Sequence, residues 1–264
     1  MEQKNELNEI ARKMREARRI LFITGAGVSA DSGLPTYRGV GGLYNGDETE
    51  DGLPIEEALS GECFSARPDI TWKYLSRIEH NCRGVHPNAA HRAIAELERG
   101  DTGRKVVVLT QNIDGLHLQA GSTNVIEIHG TLGERYCTEC GKPAAVDVLG
   151  DRFGVPRCVE CGAVVRPNVV LFGEMLPERA LGRLHEELAK GFDMVVVIGT
   201  TAVFPYISEP VMRAVREKVP TVEINPARTR LSDSVDHYLP MGAVEAMSAI
   251  ARKMDAWPSW SDHE

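Results

Sequence analysis

Apolar and polar positions along the chain alternate with two different periods. In residues 5–19, Leu7, Ile10, Ala11 and Met14 recur at helical spacing. A short apolar run over 20–24 follows and ends at a glycine, which is typical of a strand buried on both faces. The next helix is predicted over 87–99, because its pattern opens with a proline and ends before a glycine.

The rest of the chain repeats this alternation. Buried strands are predicted at 105–110, 125–128, 193–199 and 221–224, and helices at 178–190, 206–218 and 242–255. β-branched runs that alternate with helices indicate a parallel sheet covered on both faces. The predicted fold class is therefore α/β, a Rossmann-like parallel sheet with helices on both faces.

Two stretches break the rhythm. Residues 39–85 are rich in glycine and then helical, and residues 131–169 contain four cysteines, several glycines and three prolines. We interpret both as insertions that together build a smaller domain, a helical module plus a cysteine module. The sheet domain would then comprise residues 1–38, 86–130 and 170–264.

Two cysteine pairs with short internal spacing predict a metal site in the second insertion. Cys137 and Cys140 are separated from Cys158 and Cys161 by seventeen residues. Disulfides and a redox pair are alternatives, but a redox site needs only one such pair, whereas zinc needs four soft ligands on two tight turns. Four thiolates fill the coordination sphere, so one zinc ion would be structural. Cys63 and Cys82 have no partner at metal spacing and are interpreted as free thiols.

Charge and composition exclude several classes of function. The net charge of −8 argues against non-specific binding to nucleic acid, and the longest apolar run, Met194–Gly199, is far shorter than a membrane span. Residues 1–19 are charged throughout and lack the apolar core of a secretion signal. We therefore expect a cytoplasmic protein that partners neither nucleic acid nor membrane.

A glycine-rich turn follows the first strand. Residues Thr24–Ala30 fit the pattern G-x-G-x-x-A, in which backbone N–H groups approach a pyrophosphate at a helix N-terminus. Dinucleotide-binding dehydrogenases also place an acidic residue about 20 positions further on, at the end of a second strand. Here the acidic residues 47, 48, 50 and 51 have no strand before them. The turn therefore predicts nucleotide binding and argues against a dehydrogenase.

Six short blocks now extend the pattern. They are Gly25-Ala-Gly-Val-Ser-Ala-Asp-Ser-Gly-Leu-Pro-Thr-Tyr-Arg-Gly39, Thr110-Gln-Asn-Ile-Asp-Gly-Leu-His117, His129-Gly130, Arg166-Pro-Asn-Val-Val-Leu-Phe-Gly-Glu174, Gly199-Thr-Thr201 and Glu223-Ile-Asn225. With these blocks the chain resembles the sirtuin family of NAD-dependent protein-lysine deacylases. The resemblance spans residues 20–240, and every block stands in family order.

The resemblance implies the cofactor and the site. NAD would bind the sheet domain, and the acyl group of a protein lysine would pass to ADP-ribose, with release of nicotinamide and free lysine. His129 would be the general base that activates a ribose hydroxyl. The implied NAD contacts are Gly25, Ala26, Gly27, Ser29, Ala30, Tyr37, Arg38, Gln111, Asn112, Ile113, Asp114, Gly199, Thr200, Thr201 and Asn225. The family usually has Phe at position 37 and Ser at position 201.

The resemblance also suggests how the substrate binds. The run Val170, Leu171, Phe172, Gly173 and Glu174 would pair as a strand with the substrate backbone. Tyr74 and Arg77 lie three residues apart and resemble the Tyr-x-x-Arg signature of the bacterial class III subclass that removes succinyl and malonyl groups. Ala58 would be the small residue that widens the acyl pocket. We therefore expect removal of acetyl groups and also of succinyl and malonyl groups.

Each of these predictions has an ordinary alternative. Tyr74 and Arg77 can be a packed ring and a solvated charge, Asp114 a turn cap, and Phe172 part of the core. His86, His91 and His117 are interpreted as surface or local structural residues. The alternative functions are NAD-dependent mono-ADP-ribosyl transfer and a non-catalytic NAD or ADP-ribose sensor. The expected partners are acylated lysine side chains of proteins, and the expected oligomeric state is a monomer.

Overall fold

The computed structural model of the chain describes residues 2–36, 49–99, 103–144 and 154–254. Six parallel strands form the main sheet in the order β3-β2-β1-β6-β7-β8. They are β1 (Arg19–Thr24), β2 (Lys105–Thr110), β3 (Val125–Glu127), β6 (Met194–Ile198), β7 (Thr221–Ile224) and β8 (His237–Leu239). This order reverses between β1 and β6, and the reversal is the usual place for a ligand in an open α/β sheet.

Helices cover both faces of the sheet, as the alternating pattern predicted. Ile20 and Phe22 of β1 pack into one core with the helices α1 (Glu2–Glu16), α5 (Ala89–Arg99) and α9 (Ala243–Lys253). Leu21 and Ile23 point to the other face, into a core with α7 (Glu178–Ala189) and α8 (Pro205–Arg216). Successive side chains of a strand alternate between faces, so a wholly apolar strand supplies both cores. The predicted fold class is confirmed.

The second small sheet and the remaining helices come from the two insertions and the loop after β2. Helices α2 (Ile55–Ala58), α3 (Gly61–Ala66) and α4 (Pro68–Cys82) lie in the first insertion, and α6 (Leu116–Ala120) follows β2. Strands β4 (Gly130–Cys137) and β5 (Val165–Val169) pair antiparallel at the base of the cysteine module. None of the helices among the described residues is long and apolar enough to cross a membrane.

The two insertions share an apolar core. Leu75 of α4 lies in one cluster with Leu132 of β4 and Val169 of β5. The indole Nε1 of Trp72 donates a hydrogen bond to the Val165 carbonyl oxygen at 2.9 Å. The helical module is therefore packed directly on the strands that carry the cysteine module.

One strand of the main sheet was missed by the sequence pattern, as were β4 and β5 of the small sheet. β8 has only three residues and lacks a continuous apolar run. Its place at the sheet edge depends on contacts distant in sequence: Asn225 N–H donates to the Leu239 carbonyl oxygen at 3.1 Å, and Thr221 N–H donates to Asp236 Oδ2 at 2.8 Å. Such pairing is not encoded locally, because a short strand gains most of its stability from its neighbour.

Candidate active site and metal centre

The turn after β1 packs backbone to backbone against the turn after β6. Gly25 N–H donates to the Ile198 carbonyl oxygen at 3.1 Å, and Gly27 N–H donates to the Gly199 carbonyl oxygen at 2.9 Å. A Cβ atom on Gly27 would lie 2.6 Å from the Gly199 Cα atom, so no other residue fits without movement of the backbone. The loops that follow the two strands flanking the reversal of strand order are thereby held together.

Three polar side chains tie the glycine turn to the end of β2. Ser29 Oγ donates to Asp114 Oδ2 at 2.7 Å, and Asn112 Nδ2 donates to Ser29 Oγ at 3.1 Å and to the Gly25 carbonyl oxygen at 3.2 Å. Burial raises the pKa of Asp114, and hydrogen bonds from Leu116 N–H and Ser29 act in the opposite direction. Asp114 therefore caps its own turn and also binds the glycine turn through Ser29.

The three side chains line a cavity at the carboxyl edge of the sheet. Leu34, Pro35 and Ile113 supply apolar surface, and Ala26 lies beside them. Helix α4 contributes three further residues from successive turns of one helix face, Ile78, Asn81 and Cys82. The cavity therefore has a polar floor from the sheet domain and a mostly apolar wall from the insertion.

A second set of contacts links β2, β6 and β7. Gln111 Nε2 donates to Thr200 Oγ1 at 2.7 Å, and Asn225 Nδ2 donates to the Thr200 carbonyl oxygen at 3.0 Å. Thr200 is buried, whereas Thr201 and Ala30 are exposed at the same edge. Residues from three strand ends are thus brought together around the glycine turn. The predicted NAD contacts Tyr37 and Arg38 lie outside the described residues.

His129 follows β3 and is held by two hydrogen bonds. Its Nδ1 lies 3.0 Å from the carbonyl oxygen of Gln111, and its Nε2 lies 2.7 Å from Tyr206 Oη. A carbonyl oxygen only accepts, so Nδ1 carries the proton of the neutral imidazole and Nε2 carries the lone pair. Burial lowers the pKa of His129 below its ordinary value of 6.5, and the bond to the Gln111 carbonyl opposes that shift.

The residues that follow His129 fix its backbone. Gly130 has a φ of 76°, and a Cβ atom there would lie 1.9 Å from the carbonyl oxygen of Asn168. Val170 N–H donates to the His129 carbonyl oxygen at 2.9 Å. The backbone that carries the imidazole is therefore fixed between β3 and the β4–β5 pair, and the imidazole itself lies beside Gln111.

Tyr74 and Arg77 do not line the cavity. Tyr74 Oη donates to Asp51 Oδ2 at 2.6 Å, and Arg77 Nη2 donates to Glu50 Oε2 at 3.0 Å. The bond from Arg77 is the largest cause of the lowered pKa of Glu50. Ala58 is fully buried in the core of the helical module and is likewise not part of the cavity wall.

Residues 170–174 form an extended loop, and most of its backbone N–H groups donate hydrogen bonds within the chain. Phe172 N–H donates to the Leu59 carbonyl oxygen, and Gly61 N–H donates to the Phe172 carbonyl oxygen, both at 3.0 Å. Glu174 accepts from Leu171 N–H at 2.9 Å and forms a two-bond ion pair with Arg166 at 2.7 and 2.9 Å. Glu174 thus holds the loop in place from within the chain.

The four cysteines meet as the spacing predicted. Their sulfur atoms all lie within 4.8 Å of one another, with Cys137 and Cys161 at 3.4 Å and Cys140 and Cys158 at 3.8 Å. A tetrahedron with Zn–S bonds of about 2.3 Å has edges of about 3.8 Å. Two tight turns present the ligands: Gly141 N–H donates to the Cys137 carbonyl oxygen, and Gly162 N–H to that of Cys158. Zinc fits this donor set.

Two features near the site were missed from the sequence. Phe204 and Tyr206 stack on one another at 5.3 Å and both meet the His129 ring edge-on. The sequence does show two aromatic residues that flank Pro205. They follow the Gly199–Thr201 block by a few positions, where helix α8 begins. The second feature is a buried pair, His91 and His117, whose rings lie 4.8 Å apart. Surface and local structure were the alternatives given from the sequence for these two histidines, and their burial excludes the surface; the contact between them was not predicted.

Together these features define a class of protein: a doubly wound α/β enzyme with a nucleotide site at the strand reversal, an imidazole at a neighbouring strand end and a four-cysteine metal module. Residues 25–205 match the sequence profile of the Sir2 family. This chain belongs to the Sir2 family.

Relatives align over almost the whole chain. A Pseudomonas aeruginosa protein named NAD-dependent protein deacylase 2 is 50% identical over 254 residues, which cover 95% of this chain and 98% of the relative. An Archaeoglobus fulgidus protein named NAD-dependent protein deacylase 1 is 38% identical over 92% of this chain and 96% of its own.

Solved structures give the same result for the fold. A mutant Sir2 homologue in complex with ADP-ribose superimposes with a TM-score of 0.84 at 35% identity, covering 94% of this chain and 96% of that one. A Sir2–p53 peptide–NAD⁺ complex superimposes with a TM-score of 0.81 at 30% identity, covering 94% and 98%.

Proposed function

We propose that the protein removes neutral acyl groups, acetyl foremost, from lysine side chains of proteins with NAD as co-substrate, and that acidic acyl groups are second candidates. The chain is an NAD-dependent protein deacylase, the activity named for its relatives at 50% and 38% identity. The observation that carries the proposal is a single edge of the sheet on which the glycine turn, the Asn112–Asp114 cavity and His129 lie side by side.

The residues present at this edge fit NAD. The turn at Gly25–Gly27 carries no side chain larger than the methyl group of Ala26, which leaves room for a pyrophosphate, and Thr201 and Asn225 lie at the ends of the next two strands. We assign Asn112, Ile113 and Asp114 to the nicotinamide end, because they line the cavity. When bound, NAD supplies an electrophilic ribose carbon whose leaving group is nicotinamide.

His129 is suited to act as a general base. The Gln111 carbonyl keeps the proton on Nδ1, so Nε2 can take a proton from a ribose hydroxyl. Burial lowers the pKa of the imidazole, so the neutral form predominates at pH 7. A protonated imidazole has no lone pair to offer, so this shift preserves activity towards mildly acidic pH.

The choice of acyl group depends on helix α4. An acidic acyl group would require Tyr74 and Arg77 to release Asp51 and Glu50 and to bind the substrate carboxylate instead. A neutral acyl group requires no such exchange, and the α4 residue that faces the cavity near Arg77 is the apolar Ile78. This difference supports neutral acyl groups as the main substrates.

The peptide backbone of the substrate would add to the 170–174 loop. Four N–H groups of this loop, those of residues 170, 171, 172 and 174, already donate within the chain. A substrate strand would therefore pair with Gly173 and with carbonyl groups of the loop. This pairing would bring the acyl-lysine close to His129, because Val170 N–H donates a hydrogen bond to the His129 carbonyl oxygen.

The remaining assignments follow the composition and the cysteine cluster. One zinc ion on the four thiolates stabilises the small domain, for which we keep the boundaries 39–85 and 131–169, and does no chemistry. Free thiols suit the cytoplasm, and the net charge of −8 disfavours nucleic acid as a partner. We propose a monomer in that compartment.

A panel of acyl-lysine peptides tests the function. Acetyl, propionyl, malonyl and succinyl peptides of one sequence are incubated with and without NAD, and nicotinamide release and peptide mass are measured. Loss of the acyl mass that requires NAD supports deacylation. A gain of one ADP-ribose mass would indicate ADP-ribosyl transfer, and absence of nicotinamide release from every peptide would indicate a sensor; either result contradicts the proposal.

A further inference from the structure

Nε2 of His129, the acceptor atom of the proposed general base, already has a hydrogen-bond partner within the chain. The Gln111 carbonyl holds the proton on His129 Nδ1, so the phenol of Tyr206, 2.7 Å from Nε2, must be the donor of that bond. The lone pair on Nε2, which would accept the proton of a ribose hydroxyl, therefore already accepts a hydrogen bond from Tyr206 of helix α8.

The phenol is fixed in this position. Tyr206 is the second residue of α8, after Pro205, and its ring stacks on Phe204 with an interplanar angle of 10°. The next residues that face the sheet, Ile207 and Val211, are fully buried in the core under α8. Both aromatic rings meet the imidazole edge-on, at 84° and 86°. The contact is thus anchored by a packed helix.

Tyr206 is a donor and a poor acid. Burial raises the pKa of its phenol to about 12, so it stays protonated throughout the physiological range. It cannot replace His129 as the base, and its only chemical effect on the imidazole is through the hydrogen bond. Burial and the Gln111 bond account for the lowered pKa of His129, and no charged side chain of the described residues contributes to it.

We infer that Tyr206 is a positioning residue for the proposed general base: its phenol holds the His129 ring in one orientation before substrates bind, and it yields Nε2 to the ribose hydroxyl when they do. The inference rests on the proposed deacylase function, in which Nε2 is the base. Because the bond stabilises the neutral imidazole, its removal should make free His129 easier to protonate.

The test is Tyr206→Phe, which deletes one oxygen atom and keeps the stack. Histidine labelled with ¹⁵N is titrated in the ligand-free protein, and His129 is assigned by its absence in His129→Gln. We expect the His129 pKa to rise by about half to one pH unit in Tyr206→Phe. Tyr238→Phe is the matched control, because Tyr238 lies on β8 and its ring contacts Arg228, and it should leave the titration unchanged.

Kinetics test the release of Nε2. The acid limb of kcat/KM reports the free enzyme and should move up with the NMR value, whereas the limb of kcat reports the substrate complex and should stay. An unchanged His129 titration in Tyr206→Phe, or a kcat limb that moves as far as the kcat/KM limb, would overturn the inference. The titration needs no turnover, so a failure of the deacylase assignment is seen separately in the peptide panel.

Discussion

The carboxyl edge of the sheet and helix α4 both carry charged or polar residues that the sequence analysis assigned to the site, but these residues have different kinds of partner in the two regions. At the sheet edge, Ser29, Asn112 and Asp114 bond to one another and line a cavity. On α4, Tyr74 and Arg77 turn to carboxylates of the preceding loop. Strand ends converge wherever a parallel sheet forms, whereas the partner of a helix face depends on the segment that packs opposite.

The largest effect should come from breaking the module on which α4 rests. Cys137→Ser removes one of four zinc ligands, and structural zinc contributes about 10–16 kcal/mol in zinc-finger peptides. We expect loss of bound zinc, local unfolding of the small domain and complete loss of deacylation. Zinc per chain, limited proteolysis and turnover measure these effects.

A cysteine outside the cluster is the control for that experiment. Cys63 lies in the core of the helical module, away from the four-cysteine cluster. The Cys63→Ser variant should therefore retain one zinc ion per chain. Full activity of chelator-treated, zinc-free protein would show that the cysteine module is dispensable.

Removal of the proposed base, His129, should have the next largest effect and should leave the fold intact. His129→Ala is expected to lower kcat by about 10²- to 10⁴-fold, the range typical of a lost general base. The fold and NAD binding should survive, because Phe204 and Tyr206, the two rings that meet the imidazole, also pack against the core under α8. Near-normal turnover would remove His129 from the mechanism.

The pH dependence of kcat/KM is a second test of the sheet edge and of His129. The base works only when neutral, so kcat/KM should fall by about tenfold per pH unit below the pKa of His129. Burial lowers that pKa, so the fall should begin below pH 6.5. An acid limb centred above about pH 7 would contradict a buried, uncharged environment for the imidazole. Initial rates across buffers of constant ionic strength provide the measurement.

The smallest effect is expected on α4. Arg77→Met breaks a half-exposed ion pair with Glu50, so turnover of acetyl peptides should change less than about fivefold. Arg83→Met, at the end of the same helix, is the matched control. If Arg77 instead binds an acidic acyl group, the loss on succinyl peptides alone should be about 10- to 100-fold.

Much of the fold could be predicted locally. Apolar runs identified β1, β2, β3, β6 and β7, because a strand buried on both faces needs no polar alternation. The three-residue β8 and the paired strands β4 and β5 escaped, because their conformation depends on partners distant in sequence. For the same reason, the contact between Tyr206 and His129, 77 positions apart, could not be predicted, although the aromatic residues around Pro205 are visible in the sequence.

The amino-acid sequence by itself determined the parallel α/β class, the glycine turn, the metal ligands and the position of His129 at a strand end. These properties depend on local spacing and residue type, which a linear pattern contains. Only the tertiary structure decided that Asp51 and Glu50 bind the Tyr74–Arg77 pair and that the phenol of Tyr206 donates to Nε2 of His129. Such contacts join segments far apart in the chain, and a hydrogen bond forms only where packing brings both partners together.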